Sequence, residues 1–354
     1  MFMLPRFTQH ISSTMESFPR PMTLLLILFI SCHFCLGKAI DCGGKDIADT
    51  ITVGQSGNVT FTTIQAAINY VKSNNDQWVK IHINAGEYKE KVSIPFKKPC
   101  IILEGDDSQT TIISFGDHQA TSASATFSTS SPNVVVSDIT FKNSYNTMEQ
   151  LHKLDDKTNE QILPAVAARV YGDKCFFLRC RFIGYQDTLF DDKGRHYFKN
   201  CYIQGEVDFI FGAGQSYYEN CLINAMGRYP SIPGYVTAQG RDSLMDTSGF
   251  VFEGGSLQGN GKVNLGRAYR AYSRVIFHGT NFSSVVTPQG WEAWKAVGKE
   301  TQLTYSEVDC IGPGADTSQR VTWLKTLNDS QLQEFSLASF INQDNWIDNL
   351  PTIS

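Results

Sequence analysis

Two aspartates in this chain occupy the same place in a repeated segment. Residues 179–190 read RCRFIGYQDTLF and residues 200–211 read NCYIQGEVDFIF. Superposed at an offset of 21 residues, Cys180 falls on Cys201, Gly184 on Gly205, Asp187 on Asp208 and Phe190 on Phe211. If one offset is one coil of a stacked solenoid, the two carboxylates lie one strand spacing apart, about 4.8 Å. Carboxyl groups that close cannot both ionise cheaply near neutral pH, so one keeps a proton and the protonation states belong to the pair. A neutral acid beside an anionic carboxylate suits combined acid–base and nucleophilic chemistry. Spacing alone also allows a plainer origin, in which each Asp closes a solenoid turn by bonding to backbone amides.

The elements that must position this pair are short strands punctuated by Gly, Asn and Asp. A third copy begins at Asn220-Cys221-Leu222-Ile223, offset by 20 residues, and fainter echoes occur at 136–141, 250–257 and 275–282. A strand-and-turn repeat of this length signals a solenoid, and the fold class it predicts is all-β, a parallel β-helix whose coils stack on one another. A leucine-rich repeat shares the period but needs a Leu/Asn signature that is missing, and a β-sandwich has no need of a constant offset. Stacked Cys180, Cys201 and Cys221 are expected to form an inert buried ladder, although strand spacing also permits a disulfide between coils. Near the start, Thr62 and Gln65 form a capping-box pattern. Ile64, Ala67, Ile68 and Val71 then follow with helical period, predicting a short N-terminal capping helix; helical period returns only after about residue 320.

A chain of 354 residues suffices for one large β domain. The 23 Phe and 14 Tyr favour strands. The net charge is −5 with no basic stripe, which argues against nucleic acid and means that any anionic polymer must be held by local contacts. Residues 22–31 form an apolar run preceded by Arg6 and Arg20 and followed by Gly37 and Ala39. This predicts a secretory signal over residues 1–38, with a single domain over 39–354; the run is shorter than the ~20 residues a spanning helix needs. Of nine cysteines, Cys32 and Cys35 fall in that leader, leaving an odd seven. No zinc-type spacing occurs among them, so no metal and no cofactor are expected. Sequons at Asn58, Asn281 and Asn328 fit secretion.

Around the aspartates the chain resembles the plant pectin methylesterases, carbohydrate esterases of family 8. The motifs that carry the resemblance run in order from about residue 50 to 346. They are Gly86-Glu87-Tyr88-Lys89-Glu90, Gly184-Tyr185-Gln186-Asp187-Thr188-Leu189, Gly205-Glu206-Val207-Asp208-Phe209-Ile210-Phe211-Gly212, Thr237-Ala238-Gln239-Gly240-Arg241, Leu265-Gly266-Arg267-Ala268-Tyr269 and Gly290-Trp291-Glu292-Ala293-Trp294. The resemblance implies a right-handed parallel β-helix with an open polysaccharide cleft and a C-terminal helical and loop segment. It implies that Asp208 attacks the methyl-ester carbonyl of a galacturonate unit, that Asp187 protonates methanol and then activates water, and that Gln186 donates to the oxyanion. Arg267 would pair with Asp208 and hold it ionised. Thr121, Phe211, Tyr269 and Trp291 are expected to contact substrate, whereas Trp294 is expected in the core. For Gln186 and Asp187 to serve one cleft the chain must bend between them, since neighbours in a strand face opposite sides. The partner implied is methylesterified pectin, with a proteinaceous pectinesterase inhibitor as a second; a secreted, cell-wall monomer is expected.

The chain departs from the family at several points. Pro164 stands where a Gln usually opens a QAVALR-type block, here Leu163-Pro164-Ala165-Val166-Ala167-Ala168-Arg169, and proline donates no hydrogen bond; Gln161 is nearby. Tyr269 replaces a tryptophan, and Ser122 an aromatic. Too few residues lie between leader and domain for the helical inhibitor-like pro-region of many plant members. Two other functions remain compatible with paired carboxylates on a β-helix: a retaining glycosidase acting on pectin, and a catalytically weak pectin-binding homologue suggested by Pro164.

Overall fold

Each coil of about twenty residues gives one short strand to each of three parallel sheets, one of ten strands and two of eight. The computed structural model describes residues 42–145, 162–227 and 232–353; the leader predicted over 1–38, and Gln161, lie outside them. In the central coils the predicted offset sets the register of all three sheets. Cys175 pairs with His196, Arg181 with Tyr202 and Leu189 with Ile210, each 21 residues on. The next coil is shorter by one, pairing Arg195 with Gln215 and Tyr202 with Leu222. Elsewhere loops widen the offset without disturbing pairing, as between Ile210 and Thr237 or Val134 and Cys175. The result is the right-handed parallel β-helix expected.

The tight turn leaving the ten-stranded sheet explains the cysteine ladder. Asp138, Arg179, Asn200, Asn220 and Asp309 hold the same left-handed place in their coils, with φ between 50° and 58°, and Gly254 and Gly279 hold it in the two coils between Asn220 and Asp309. Asp and Asn tolerate that conformation best among residues with a Cβ. At Arg179 the bulkier side chain is held by two bonds to Asp138, both 2.7 Å. The residue after the turn points inward, and four times it is cysteine. Cys180, Cys201, Cys221 and Cys310 are all reduced, with each thiol 3.4–3.5 Å from a carbonyl of the preceding coil. Among the described residues the disulfide is elsewhere, joining Cys42 to Cys100 at the N-terminal end.

The interior is a set of such ladders. Phe177, Phe198, Tyr218, Phe252 and Phe277 stack face to face along the ten-stranded sheet at 5.0, 4.7, 4.5 and 4.4 Å between ring centroids. The helix Ile64–Tyr70 buries Ile64, Ala67 and Ile68 over the first coils. Its N-cap is Thr63 rather than Thr62, because Thr63 is the extended residue whose side chain accepts from Ala66 N. Glu90 takes the part expected of Gln65, accepting from the Ile64 and Gln65 amides at 2.8 and 3.1 Å. At the other end, the short helices Asp329–Gln333 and Leu337–Phe340 lead into a segment that covers the outer face of the ten-stranded sheet. There Phe340, Ile341 and Trp346 pack on Phe176, Tyr197 and Tyr217.

Phe198 sits mid-ladder with no exposure and stacked rings on both sides. Phe198→Ala is expected to destabilise the fold by about 3–5 kcal/mol, the range for emptying an aromatic core site, read as a lower denaturation midpoint in guanidinium.

Candidate active site

Asp187 and Asp208 lie in the turns that enter one of the eight-stranded sheets, just before the strands Leu189–Asp191 and Ile210–Gly212. Those strands pair as Leu189 with Ile210 and Phe190 with Phe211, and Gln186 bridges Val207. The two carboxylates are therefore equivalent residues of adjacent coils. Both are left-handed, with φ of 61° at Asp187 and 49° at Asp208. This is the bend that one shared cleft requires: strand alternation fails at the left-handed residue. Gln186 and Asp187 consequently both reach the surface while Tyr185 and Thr188 on either side are buried.

The two acids differ in their surroundings. Arg267, at the end of the strand Val263–Arg267, grips Asp208 with Nε to Oδ1 at 2.7 Å and Nη2 to Oδ2 at 2.6 Å. Burial is the largest influence on both carboxyls and pushes both upward. At Asp187 the neighbouring Asp208 charge adds to it and raises the group to about 7. At Asp208 the Arg267 bonds and charge, helped by Lys295, act against the rise, while Glu292 adds to it. A bidentate guanidinium is a strong, charge-assisted partner, so Asp208 is the member of the pair whose charged form is favoured and Asp187 the one pushed towards its acid form.

One row of outward side chains crosses the sheet beside the pair: Ser93, Ser128, Arg169, Phe190, Phe211 and Ala238 are in register. Arg267 and Glu292 continue it on the last two strands. Phe211 stacks on Phe190 at 4.4 Å, and both are half-buried, which gives the row a flat apolar centre. Tyr269 is 40% exposed and lies 5.8 Å from Trp294. Thr121 is half-buried in a turn that is tied to the row through Arg169, whose Nη1 donates to Ser122 O at 3.0 Å.

The burial of the two tryptophans is the reverse of that expected. Trp291 is 2% exposed, stacked on Tyr305 at 4.4 Å, and offers no face to a polymer. It pairs with Gly266, so strand alternation turns it inward and turns Glu292 out beside Arg267. Trp294 is half-buried and packs over the Arg267 guanidinium at 4.0 Å. Tyr235 packs on Arg267 as well, at 4.2 Å, and had no distinguishing signal in the sequence. Pro164 lies close to Gln186: the following residue, Ala165, donates its amide to Gln186 O at 3.2 Å.

Stacked carboxylates beneath an arginine, on an open aromatic-bearing face of a β-helix, define a class of carbohydrate-modifying hydrolase. The comparisons narrow that class. The pectinesterase family model matches residues 50–344. The chain is 45% identical over 328 residues to probable pectinesterase 29 of Arabidopsis thaliana, covering 92% of this chain and 96% of that one. It is likewise 45% identical over 331 residues to probable pectinesterase 55 of the same plant, covering 93% and 98%. Pectin methylesterase from carrot superposes with a TM-score of 0.77 at 30% identity, covering 84% of this chain and 94% of that one. The chain belongs to the pectinesterase family, carboxylic ester hydrolases that de-esterify pectin.

The raised Asp187 has a consequence for stability. Below its ordinary value the group is neutral in both folded and unfolded chains. From about 4 up to about 7 the folded protein keeps a proton that the unfolded chain has lost, so this group's contribution falls as pH rises; above that the loss is complete. Asp187→Asn keeps a residue type suited to the left-handed turn and removes the titration. It is expected to raise Tm at about pH 8 and leave it nearly unchanged at about pH 4, measured by thermal unfolding at both values.

Proposed function

We propose that Asp208 is the nucleophile and Asp187 the acid and base of methyl-ester hydrolysis on pectin. The observation that carries this is the asymmetry of the pair: equivalent positions in adjacent coils, with Arg267 bonded to Asp208 alone. One Asp208 oxygen attacks the ester carbonyl of a galacturonate unit, and the carbonyl electrons move onto its oxygen. Gln186, half-buried beside Asp187, donates to that oxyanion. When the tetrahedral centre collapses, the C–O bond to the methoxy group breaks and Asp187 passes its proton to the departing oxygen, releasing methanol. The sugar carboxyl is then joined to Asp208 as an anhydride. Asp187, now anionic, takes a proton from water as the water attacks the galacturonate carbonyl. Collapse returns Asp208 to its carboxylate, Asp187 to its acid and the polymer to a free galacturonate.

Each group matches its step. A nucleophile must be ionised, and Arg267 favours that form of Asp208. A general acid near neutral pH needs a raised pKa, and burial beside Asp208 lifts Asp187 to about 7. Polymer would lie along the outward row, with Phe190 and Phe211 as a platform and Tyr269 beside it. The half-buried Pro164 supplies no donor at the oxyanion, which leaves the Gln186 side chain to carry that task. The Cys42–Cys100 disulfide supports an oxidising compartment. Together with the leader that the sequence predicts over 1–38 and the exposed sequon asparagines Asn58, Asn281 and Asn328, it supports a secreted enzyme acting on pectin in the cell wall.

Asp208→Asn is expected to abolish methanol release from methylated pectin while leaving the far-UV spectrum intact. Gln186→Ala is expected to lower kcat by about 10²–10³, the usual cost of one oxyanion donor. Both are assayed by measuring methanol and reducing ends together. Wild-type-like methanol release by the Asp208 variant would sink the mechanism, and reducing ends without methanol would mark a glycosidase instead.

A further inference from the structure

Arg267 is held from three sides, and only one of them is Asp208. Its guanidinium packs against two aromatic rings, Tyr235 at 4.2 Å and Trp294 at 4.0 Å. Tyr235 is itself fixed, since its hydroxyl donates to Glu292 Oε2, and Glu292 is the residue in register with Arg267 on the next strand. The Glu292 backbone also accepts from Ala268 N at 3.1 Å, next to Arg267. Trp294 holds a left-handed backbone with φ of 42°, an unfavourable state for a bulky residue that persists only where surrounding contacts enforce it.

We infer that Tyr235, tethered by Glu292, is a positioning residue for the reaction: with Trp294 it clamps the guanidinium so that both donors stay on Asp208. This rests on the assignment of Asp208 and Arg267 made above. Arginine carries many rotamers, and two rings packed against the guanidinium restrict them while both donors stay on the carboxylate. Burial and the Glu292 bond hold the Tyr235 hydroxyl protonated, pushed up to about 12, so it remains a donor to Glu292 throughout the working pH range. The charges facing Asp208 are Asp187 from the preceding coil, Arg267, Glu292 and Lys295, with the phenols Tyr235 and Tyr305 nearby. Loosening the clamp weakens the one partner that favours the Asp208 carboxylate through direct bonds. Neutralising Glu292 removes a charge that opposes it.

The two changes should therefore shift the acid side of the pH profile in opposite directions. Tyr235→Val removes the ring and the tether. It is expected to lower kcat about tenfold, the scale of a desolvated cation–π contact, with KM for pectin within about twofold, and to move the acid limb to higher pH. Tyr235→Phe keeps the ring and loses only the tether, so it should recover part of kcat with a smaller shift of the same sign. Glu292→Gln keeps an acceptor for the tyrosine and should move the acid limb to lower pH. Methanol release across pH is measured for each, alongside Asp208→Asn and a Tm for every variant. If Tyr235→Val does not fold, Tyr235→Phe carries the test. An unmoved acid limb, a loss confined to KM, or shifts of the same sign for Tyr235 and Glu292 variants would overturn the clamp. Activity in Asp208→Asn would instead overturn the assignment beneath it.

Discussion

In-register stacking of parallel coils is the constraint on which everything else in this molecule depends. Once a coil is fixed at about 21 residues, whatever the sequence repeats at that spacing is placed one strand apart in space. For Phe177, Phe198, Tyr218, Phe252 and Phe277 the outcome is a continuous stack of rings. For Cys180, Cys201 and Cys221 it is a column of thiols on carbonyls. For Asp187 and Asp208 the same rule brings together two groups that repel when ionised. The ladder that is unfavourable in isolation is the one with chemistry, and the favourable ladders inside the coil hold it in place.

Arg267 decides how that repulsion is resolved. Two stacked carboxyls could share one proton evenly, and a symmetric pair would have no fixed nucleophile. The guanidinium comes from two coils further along, pairs with Asp208 only, and breaks the symmetry. Burial pushes both acids towards their neutral forms. It lifts Asp187 to about 7, where an acid is useful, while at Asp208 the direct bonds and charge of Arg267 act against it.

The sequence carried the coil, the stacking and the acid pair because each depends on a spacing, and spacing survives in a linear string. The Asp208–Arg267 contact spans 59 residues across a loop insertion and was accessible only through motif resemblance. The tryptophans were misplaced for a physical reason. Trp291 and Trp294 lie within one motif, and a motif names residues without saying which face of a two-residue strand each will take. The register of Gly266 with Trp291 settles that, and register across a 25-residue gap is not a local property. Tyr235 and Glu292 carry no pattern of their own; they matter because of what they touch. The helix cap slipped by one residue, from Thr62 to Thr63, since two adjacent threonines offer the same local signal and Glu90, distant in sequence, satisfies the amides that would have distinguished them.

Aspartate at a left-handed turn is not by itself a sign of catalysis in this fold. Asp138 and Asp309 have φ values of 58° and 50°, close to those of Asp187 and Asp208. Asp138 even has its own two-bond arginine, Arg179. What separates them is access to water. The Asp309 side chain is 82% exposed; that of Asp138 is 17% exposed but its partner Arg179 is 40% exposed, so solvent screens the arginine and the ion pair there does little beyond closing a turn. The side chains of Arg267 and Asp208 are 18% and 12% exposed, two aromatic rings pack against the guanidinium, and a second carboxyl stacks alongside. The backbone requirement selects Asp at all four places, while reactivity follows only where burial makes the charge expensive and a neighbouring coil supplies another acid to share it.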